Sequence, residues 1–281
     1  MKFNITKFKW LQLGNNQEIK LEYNYMSDNY NFPITPADEV RDLGVIMNEF
    51  CDYQSHINYI CKKVRKRIGY ILRTFINREP HFLKFIWRTY IGPIIDYCSQ
   101  LYAPVNGTQL LKLENLLKSY TKRAEGLSNM HYWDRLKAMK MTSIGRRFER
   151  YKILYSWKVI TGKTDNCGLN FTYNQNIGHT IETCNVQKFA QTKRTQSFQY
   201  VGPRLFNTLP RYLRDKLDVS LDTWKSELDN LLERIPDNPH TPDTIPGLCD
   251  HYTAGPTNSL IYWLPFLGLN DRRSTQTVSK S

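Results

Sequence analysis

The chain is 281 residues long, 41% of them hydrophobic, and carries a net charge of +13. That length is enough for one large domain or two small ones with true cores. The charge favours nucleic acid, an anionic membrane face or acidic protein as partners, and the longest apolar stretch, Leu260 to Leu269, is broken by Pro265 and too short to span a bilayer, which needs ~20 residues.

Residues 1–50 read as strands. KFNITKFKWLQLG and IKLEYNYM are rich in β-branched and aromatic residues, with a turn signal at Gly14-Asn15-Asn16. Pro33 and Pro36 argue against a helix there. From Asp52, a plausible N-cap, the pattern turns helical. Ile57, Ile60, Val64, Ile68, Ile71 and Phe75 form one stripe, and Lys62, Lys63, Arg65, Lys66 and Arg67 fall largely off it. Pro80 suits the first turn of a second helix, which Pro93 should kink or end.

Further helices are expected after Thr108, with Leu110, Leu113, Leu117 and Tyr120 inward, and around WDRLKAMK. Thr142 or Ser143 caps another, with Ile144, Phe148, Tyr151 and Tyr155 inward and Arg146, Arg147 and Arg150 mostly outward; Gly162 ends it. Residues 163–200 lose the helical beat and read as loops with a strand or two. Ser220 to Leu232 is a last amphipathic helix, carrying Leu221, Trp224, Leu228 and Leu231. Pro236, Pro239, Pro242 and Pro246 then mark an extended tail. The expected fold is mainly α with a small N-terminal β region. The expected divisions are a β-rich 1–50, a helical 51–162, a mixed 163–235 and a flexible 236–281.

The charge comes in blocks: +8 over residues 62–88, +7 over 118–152 and +6 over 188–216, between mildly acidic ends. Such blocks suggest a cationic face if the fold gathers them. The six cysteines form no CxxC pair and read as buried thiols or loop residues in a reducing compartment. His56, His81 and His131 have no serine, cysteine or carboxylate motif beside them and read as ordinary histidines. The N-terminus MKFNITKFKW lacks the apolar run of a secretory signal.

Several blocks in order along the chain resemble a known family. RTYIGPIIDYCSQLYAP, KLENLLKSYTKRAEGL and WDRLKAMKMTSIGRRFERYKILY follow one another as they do after the polymerase palm in reverse transcriptases of jockey-like non-LTR (LINE-type) retrotransposons. RTQSFQYVGPRLFNTLPRYLRD and LDTWKSELDNLL resemble the family's C-terminal segment, while KFNITKFKWLQLG and VRDLGV resemble the end of its palm. The resemblance covers about residues 1–235. It implies a palm remnant followed by a helical thumb-like domain that grips the primer–template duplex. It also implies a primer-steadying hairpin at Asp42-Leu43-Gly44-Val45, and it matches Lys7 to a palm lysine. Asp96 stands where the family commonly has Glu, and Phe206-Asn207 where Trp-Asn is usual.

In that family the palm holds two metal-binding aspartates in a short Asp-Asp hairpin, which keep both ions around the reacting phosphate. This chain has no Asp-Asp pair, so the resemblance implies that it begins after the catalytic centre. No catalytic or metal-binding residue is therefore expected, and no cofactor; Mg would belong to the missing palm. The expected nucleic-acid contacts are Lys62, Lys63, Arg65, Lys66, Arg67, Lys122, Arg123, Arg146 and Arg147. The expected partners are an RNA–DNA hybrid or duplex nucleic acid and the missing polymerase half, with no membrane, in the nucleus or cytoplasm. The bland alternative for each cation is a solvated face. The competing accounts of the whole chain are a non-catalytic subunit complementing a separate polymerase half and an orphaned, non-functional reading frame.

Overall fold

A computed structural model describes residues 8–13, 22–27, 30–103, 107–165, 169, 171–176, 178–182, 197–238 and 259–268. The chain is mainly α-helical with a small N-terminal β region, and it divides into two units, residues 1–63 and 64–281.

In the first unit, β2 (Tyr23–Ser27) runs antiparallel to β3 (Tyr30–Pro36), and β1 (Lys9–Trp10) runs parallel to the end of β3. Among the described residues, β1 meets β3 at Thr35 and Pro36. Rings tie β1 to β2: Trp10 meets Tyr23 edge-on at 5.3 Å. β4 (Glu39–Asp42) and β5 (Val45–Asn48) form a hairpin. Its two turn residues, Leu43 (φ 43°) and Gly44 (φ 90°), both take positive φ, as a two-residue turn between twisted strands requires. Gly44 thus serves the backbone turn. The turn expected at Gly14-Asn15-Asn16 and the matched Lys7 lie outside the described residues.

Asp52 opens α1 (Gln54–Thr74) by accepting the Gln54 N–H at 2.8 Å. The first turns of α1 belong to the hairpin. Arg41 donates to the Tyr59 hydroxyl at 3.1 Å, and buried His56 accepts the Ile46 N–H on Nδ1 at 3.3 Å. Burial first, then Arg41, pushes the His56 pKa down, which keeps the imidazole neutral. These bonds tie the hairpin to the first turns of α1. Ile57, Ile60, Val64 and Ile71 are buried as the stripe requires, but Phe75 lies beyond the helix and is 40% exposed.

The second unit continues through α2 (Pro80–Ile86), with Pro80 in its first turn. A π-helical turn, Trp87–Ile91, follows, and α3 (Gly92–Asp96) leads on. Pro93 neither breaks nor sharply ends the path. The wide turn closes on the Gly92 N–H bonded to the Trp87 carbonyl, and Pro93 then falls in a first helical turn, where its missing donor is not needed. After α4 (Ser99–Tyr102) come α5 (Gly107–Thr121), α6 (Tyr132–Ala138) and α7 (Ile144–Ile160). Thr108 lies within α5, not ahead of it. Trp87 packs on Tyr120 at 5.2 Å, whose hydroxyl donates to the Leu83 carbonyl at 2.9 Å, joining α2 to α5.

Helix α7 is the spine of this unit. At its start the Ser143 hydroxyl accepts the Arg146 N–H at 3.1 Å, as expected of an N-cap. Two carboxylates add to the cap. Asp237 accepts the Ser143 N–H at 2.5 Å, and Glu114 accepts the Ile144 N–H at 3.0 Å and the Tyr132 hydroxyl. At its end, Gly162 (φ 65°) and Lys163 return N–H bonds to Val159 and Lys158, the left-handed cap that glycine serves best.

Burial raises the Glu114 pKa from 4.5 to about 7, against the bond from Tyr132 and with a further push from Asp237. The folded chain then holds this proton across a range where the unfolded chain has released it. Stability should therefore fall as pH rises from about 5 through about 7. In urea unfolding across that range the wild type should lose stability relative to Glu114→Gln, which cannot ionise. Parallel pH profiles would contradict the assignment.

Past α7, the two-residue strands β6 (Tyr173–Asn174) and β7 (Thr180–Ile181) pair antiparallel. They are held by Asn207, whose amide accepts the Ile181 N–H at 2.8 Å and donates to the Ile181 carbonyl at 2.7 Å. Asn207 sits on α8 (Phe198–Thr208), a helix not expected from the sequence because Gly202 and Pro203 lie inside it. Gly202 is there for clearance: a Cβ would stand 2.7 Å from Ser156 Oγ on α7. Gly202→Ala should cost about 1–3 kcal/mol by overpacking, read from the midpoint of thermal unfolding. An unchanged midpoint would mean that the two helices are not in close approach.

After α9 (Arg211–Arg214), α10 (Leu221–Glu233) is capped by Ser220, and its Trp224 stacks on Trp157 at 5.0 Å. Both rings are fully buried in a cluster with Leu205, Phe206, Leu213 and Leu228. The helix α11 (Leu260–Phe266) completes this cluster with Leu260, Trp263 and Leu264. Residues 236–281 are thus not uniformly an extended tail. Pro236 and Asp237 are bonded to α7, and Glu149 on α7 accepts the Leu260 N–H that opens α11 at 2.9 Å. The prolines at 239, 242 and 246 lie outside the described residues. Helices α7 and α8 pack together, and both lie in the second unit.

Candidate nucleic-acid interface

Helix α1 carries Lys62, Lys63, Arg65, Lys66, Arg67 and Arg73 and no acidic residue in 21 positions. All six cations are exposed, and none has an ion-pair partner among the described residues. Helical geometry sets Lys62, Lys66, Tyr70 and Arg73 at intervals of four, four and three, so they form one line spanning ~16 Å at 1.5 Å per residue. Lys63, Arg65 and Arg67 flank that line. Arg73 and Tyr70, which is 62% exposed, extend the face by a turn beyond the stretch singled out in the sequence. Their spacing from Lys62 was the available signal. The crowding has a cost, because like charges three and four apart each destabilise a helix by about 0.2–0.5 kcal/mol.

The opposite face of α1 is already occupied inside the protein, since Ile57, Ile60, Val64 and Ile71 are each at most 5% exposed. The connection to α2 is firmly held. Arg78 donates to the carbonyls of Leu72, Phe75 and Asn77, the last at 3.1 Å, capping the end of α1. The Glu125 N–H donates to the Arg78 carbonyl at 2.9 Å. That bond brings the turn after α5 to the end of α1. Lys122 and Arg123 stand exposed in this turn.

The other two expected contacts are placed differently. Arg146 is 2% exposed, donates to the Pro236 carbonyl at 2.9 Å and faces Asp237 at 3.6 Å. Arg147 is committed to Asp96, whose carboxylate also accepts the Tyr151 hydroxyl at 3.1 Å. Arg150 pairs with Asp229, its Nη2 donating at 2.7 Å. These three side chains are not turned mostly outward. Helix α7 is covered on two sides: Phe148 faces Tyr102, while Ile153 and Trp157 face the C-terminal cluster. Arg146 lies on the same side as Ile153 and Trp157, so it is buried with them. Part of the 118–152 block is thus internal. Arg135 is another such case, 4% exposed and bonded to the Lys118 carbonyl at the end of α5.

Of the third block, Arg214 is buried and donates to the Leu209 carbonyl at 2.8 Å, and Arg204 is exposed. A further cationic group, not singled out in the sequence, joins Lys84 to Arg88 and Lys140. Burial first, then these two neighbours, pushes the Lys84 pKa down.

The histidines separate by environment, with His56 buried and His81 and His131 exposed. Among the described cysteines, Cys51 is exposed, Cys98 half-buried and Cys61 buried. Among the described residues no group of three His, Cys, Asp or Glu side chains is placed to hold a metal ion. No helix among them is long and apolar enough to cross a membrane.

No family model matches the chain. A stretch of 111 residues, 38% of the chain, is 29% identical to an uncharacterized protein of Caenorhabditis elegans. That stretch covers 56% of the worm protein, so the chain spans about half the length of this curated relative. No solved structure matches the fold.

Proposed function

We propose that this chain grips a nucleic-acid duplex, an RNA–DNA hybrid or DNA, through its backbone phosphates. In this reading it is the thumb-bearing C-terminal part of a reverse transcriptase of the jockey-like non-LTR type. The observation that carries the reading is α1, a helix with six exposed cations that have no ion-pair partner among the described residues, and with Ile57, Ile60, Val64 and Ile71 of its apolar face buried. Such a helix can lay a row of charges along a polyanion while its other face stays packed. Phosphate contacts of this kind set position and carry no sequence information. Lys62, Lys63, Arg65, Lys66, Arg67 and Arg73 make the primary contacts, and Lys122 and Arg123 add to them. Arg146 and Arg147 are assigned to internal support.

The chain has no Asp-Asp pair of the kind with which the family holds its two ions, so the proposal is binding and not polymerisation. An intracellular setting, nuclear or cytoplasmic, goes with this reading. The test is equilibrium binding of the purified chain to a short RNA–DNA hybrid across a salt series. A thumb making ~6–10 phosphate contacts should lose ~10³–10⁵ in affinity between 50 and 200 mM salt, with little sequence preference. Weak binding that is indifferent to salt would overturn the reading.

A further inference from the structure

Between α1 and α2, Ile76 is 92% exposed and its neighbour Phe75 is 40% exposed. An apolar side chain held in water forgoes about 1.5–3 kcal/mol of burial, so its display is unfavourable for the isolated fold. The segment is not a loose loop. Arg78 holds the carbonyls on both sides of Ile76, and the Asn77 side chain accepts the Glu79 N–H at 2.8 Å. Phe75 leans edge-on against Phe82 at 5.5 Å, which stiffens the base of the tip. Arg73 stands one turn before it, and the Glu125–Arg78 bond joins the turn bearing Lys122 and Arg123 to the connection that carries it. A held apolar point is thus set at the end of a cationic line, with further cations on the turn bonded to its connection.

We propose that Ile76, backed by Phe75, is a wedge that inserts at an opened base step of the nucleic acid whose phosphates α1 holds. Charge complementarity selects a polyanion, and the apolar tip selects the one apolar element a polyanionic duplex offers, the faces of its bases where stacking is interrupted. Side chains such as Ile and Phe partially unstack base steps in this way when flanking cations hold the backbone. A membrane surface also combines anions with apolar material. Binding there would require the apolar face of α1 to enter the lipid. That face is buried in the protein, and two tip residues alone offer little area. The inference rests on the duplex-gripping reading above.

The test uses the whole chain and a short RNA–DNA hybrid with a single-stranded overhang and a fluorescent adenine analogue at the junction. Wild type should bind with a steep salt slope and raise the fluorescence severalfold as the analogue unstacks. Ile76→Ser should keep the slope, since no cation is removed, but abolish the fluorescence rise and weaken binding roughly tenfold. Ile76→Leu should retain the rise. The high exposure of Ile76 means that the Ser variant should melt at the wild-type temperature. A steep slope with no fluorescence rise in wild type, or an equal rise in wild type and Ile76→Ser, overturns the wedge while leaving the duplex grip standing. Absence of salt-dependent binding overturns both. Binding to phosphatidylserine vesicles that Ile76→Ser abolishes, with hybrid binding unaffected, overturns the wedge in favour of a lipid contact.

Discussion

Changing Lys62, Lys63, Arg65, Lys66 and Arg67 together to Gln is expected to flatten the salt dependence of hybrid binding. Each phosphate contact contributes about 0.9 to the slope of log affinity against log salt on duplex. Removing five contacts lowers that slope by up to ~4.5. Across a fourfold range of salt, the wild type should therefore lose up to ~500-fold more affinity than the variant. The fold should survive. The five side chains are exposed and lack ion-pair partners among the described residues, and Gln is as good a helix former as Lys or Arg. The variant also relieves the 62–66 and 63–67 repulsions, so its melting temperature should stay level or rise slightly. Identical slopes in the two proteins would reduce the cluster to a solvated helix face. A fallen melting temperature with lost helicity would mean that these cations hold the fold together.

Trp224→Ala is expected to be the most damaging single change to the second unit. The ring is fully buried, stacks on Trp157 at 5.0 Å and donates to the Leu213 carbonyl at 3.0 Å. Truncating a buried Trp costs about 3–5 kcal/mol, and the stranded carbonyl adds to that. Domains are typically stable by only ~5–15 kcal/mol, so most of the margin would go. Trp224→Phe keeps an aromatic ring against Trp157 and loses the N–H bond, so it should cost less than half as much. Urea unfolding followed by circular dichroism measures both. A loss below ~1 kcal/mol in the Ala variant would contradict the stacked tryptophan core.

Trp157 depends on this packing too. Its own N–H donates to the Lys216 carbonyl at 3.0 Å, and Lys163 Nζ lies 4.3 Å from its ring centre. Helix α7 is held at both ends by such long-range partners: Asp237 and Glu114 at its start, and α10 through Trp224 at its end. The same arrangement produces its buried charges. Glu149 and Lys152 are both buried on this helix. Burial pushes the Lys152 ammonium down to about 8, with Glu149 pulling against it, and pushes the Glu149 carboxyl up, against Arg146, the bonds from Ser259 and Leu260, and Lys152.

Much of this was determined by local sequence. The β-rich start, the Gly44 turn, the Asp52 and Ser143 caps, the Gly162 end of α7 and the amphipathic α10 all follow from backbone chemistry within a few residues. The cationic face of α1 was legible for the same reason, since helical periodicity alone separates Lys62 and Lys66 from Val64 and Ile71. Tertiary structure decided what depends on distant partners. Whether an arginine is a surface charge or a buried brace is not written in its neighbours: Arg146 becomes internal because residue 236 arrives to accept its bond, and Arg147 because Asp96 does. The helix through Gly202-Pro203 exists because a missing Cβ lets it close on α7, and α11 takes its place because Leu260, Trp263 and Leu264 fill a cluster built mostly by other segments. Periodicity reports one face of one element. Burial belongs to the assembly of elements, and a helix covered on two sides, as α7 is, hides the second face until its neighbours are known.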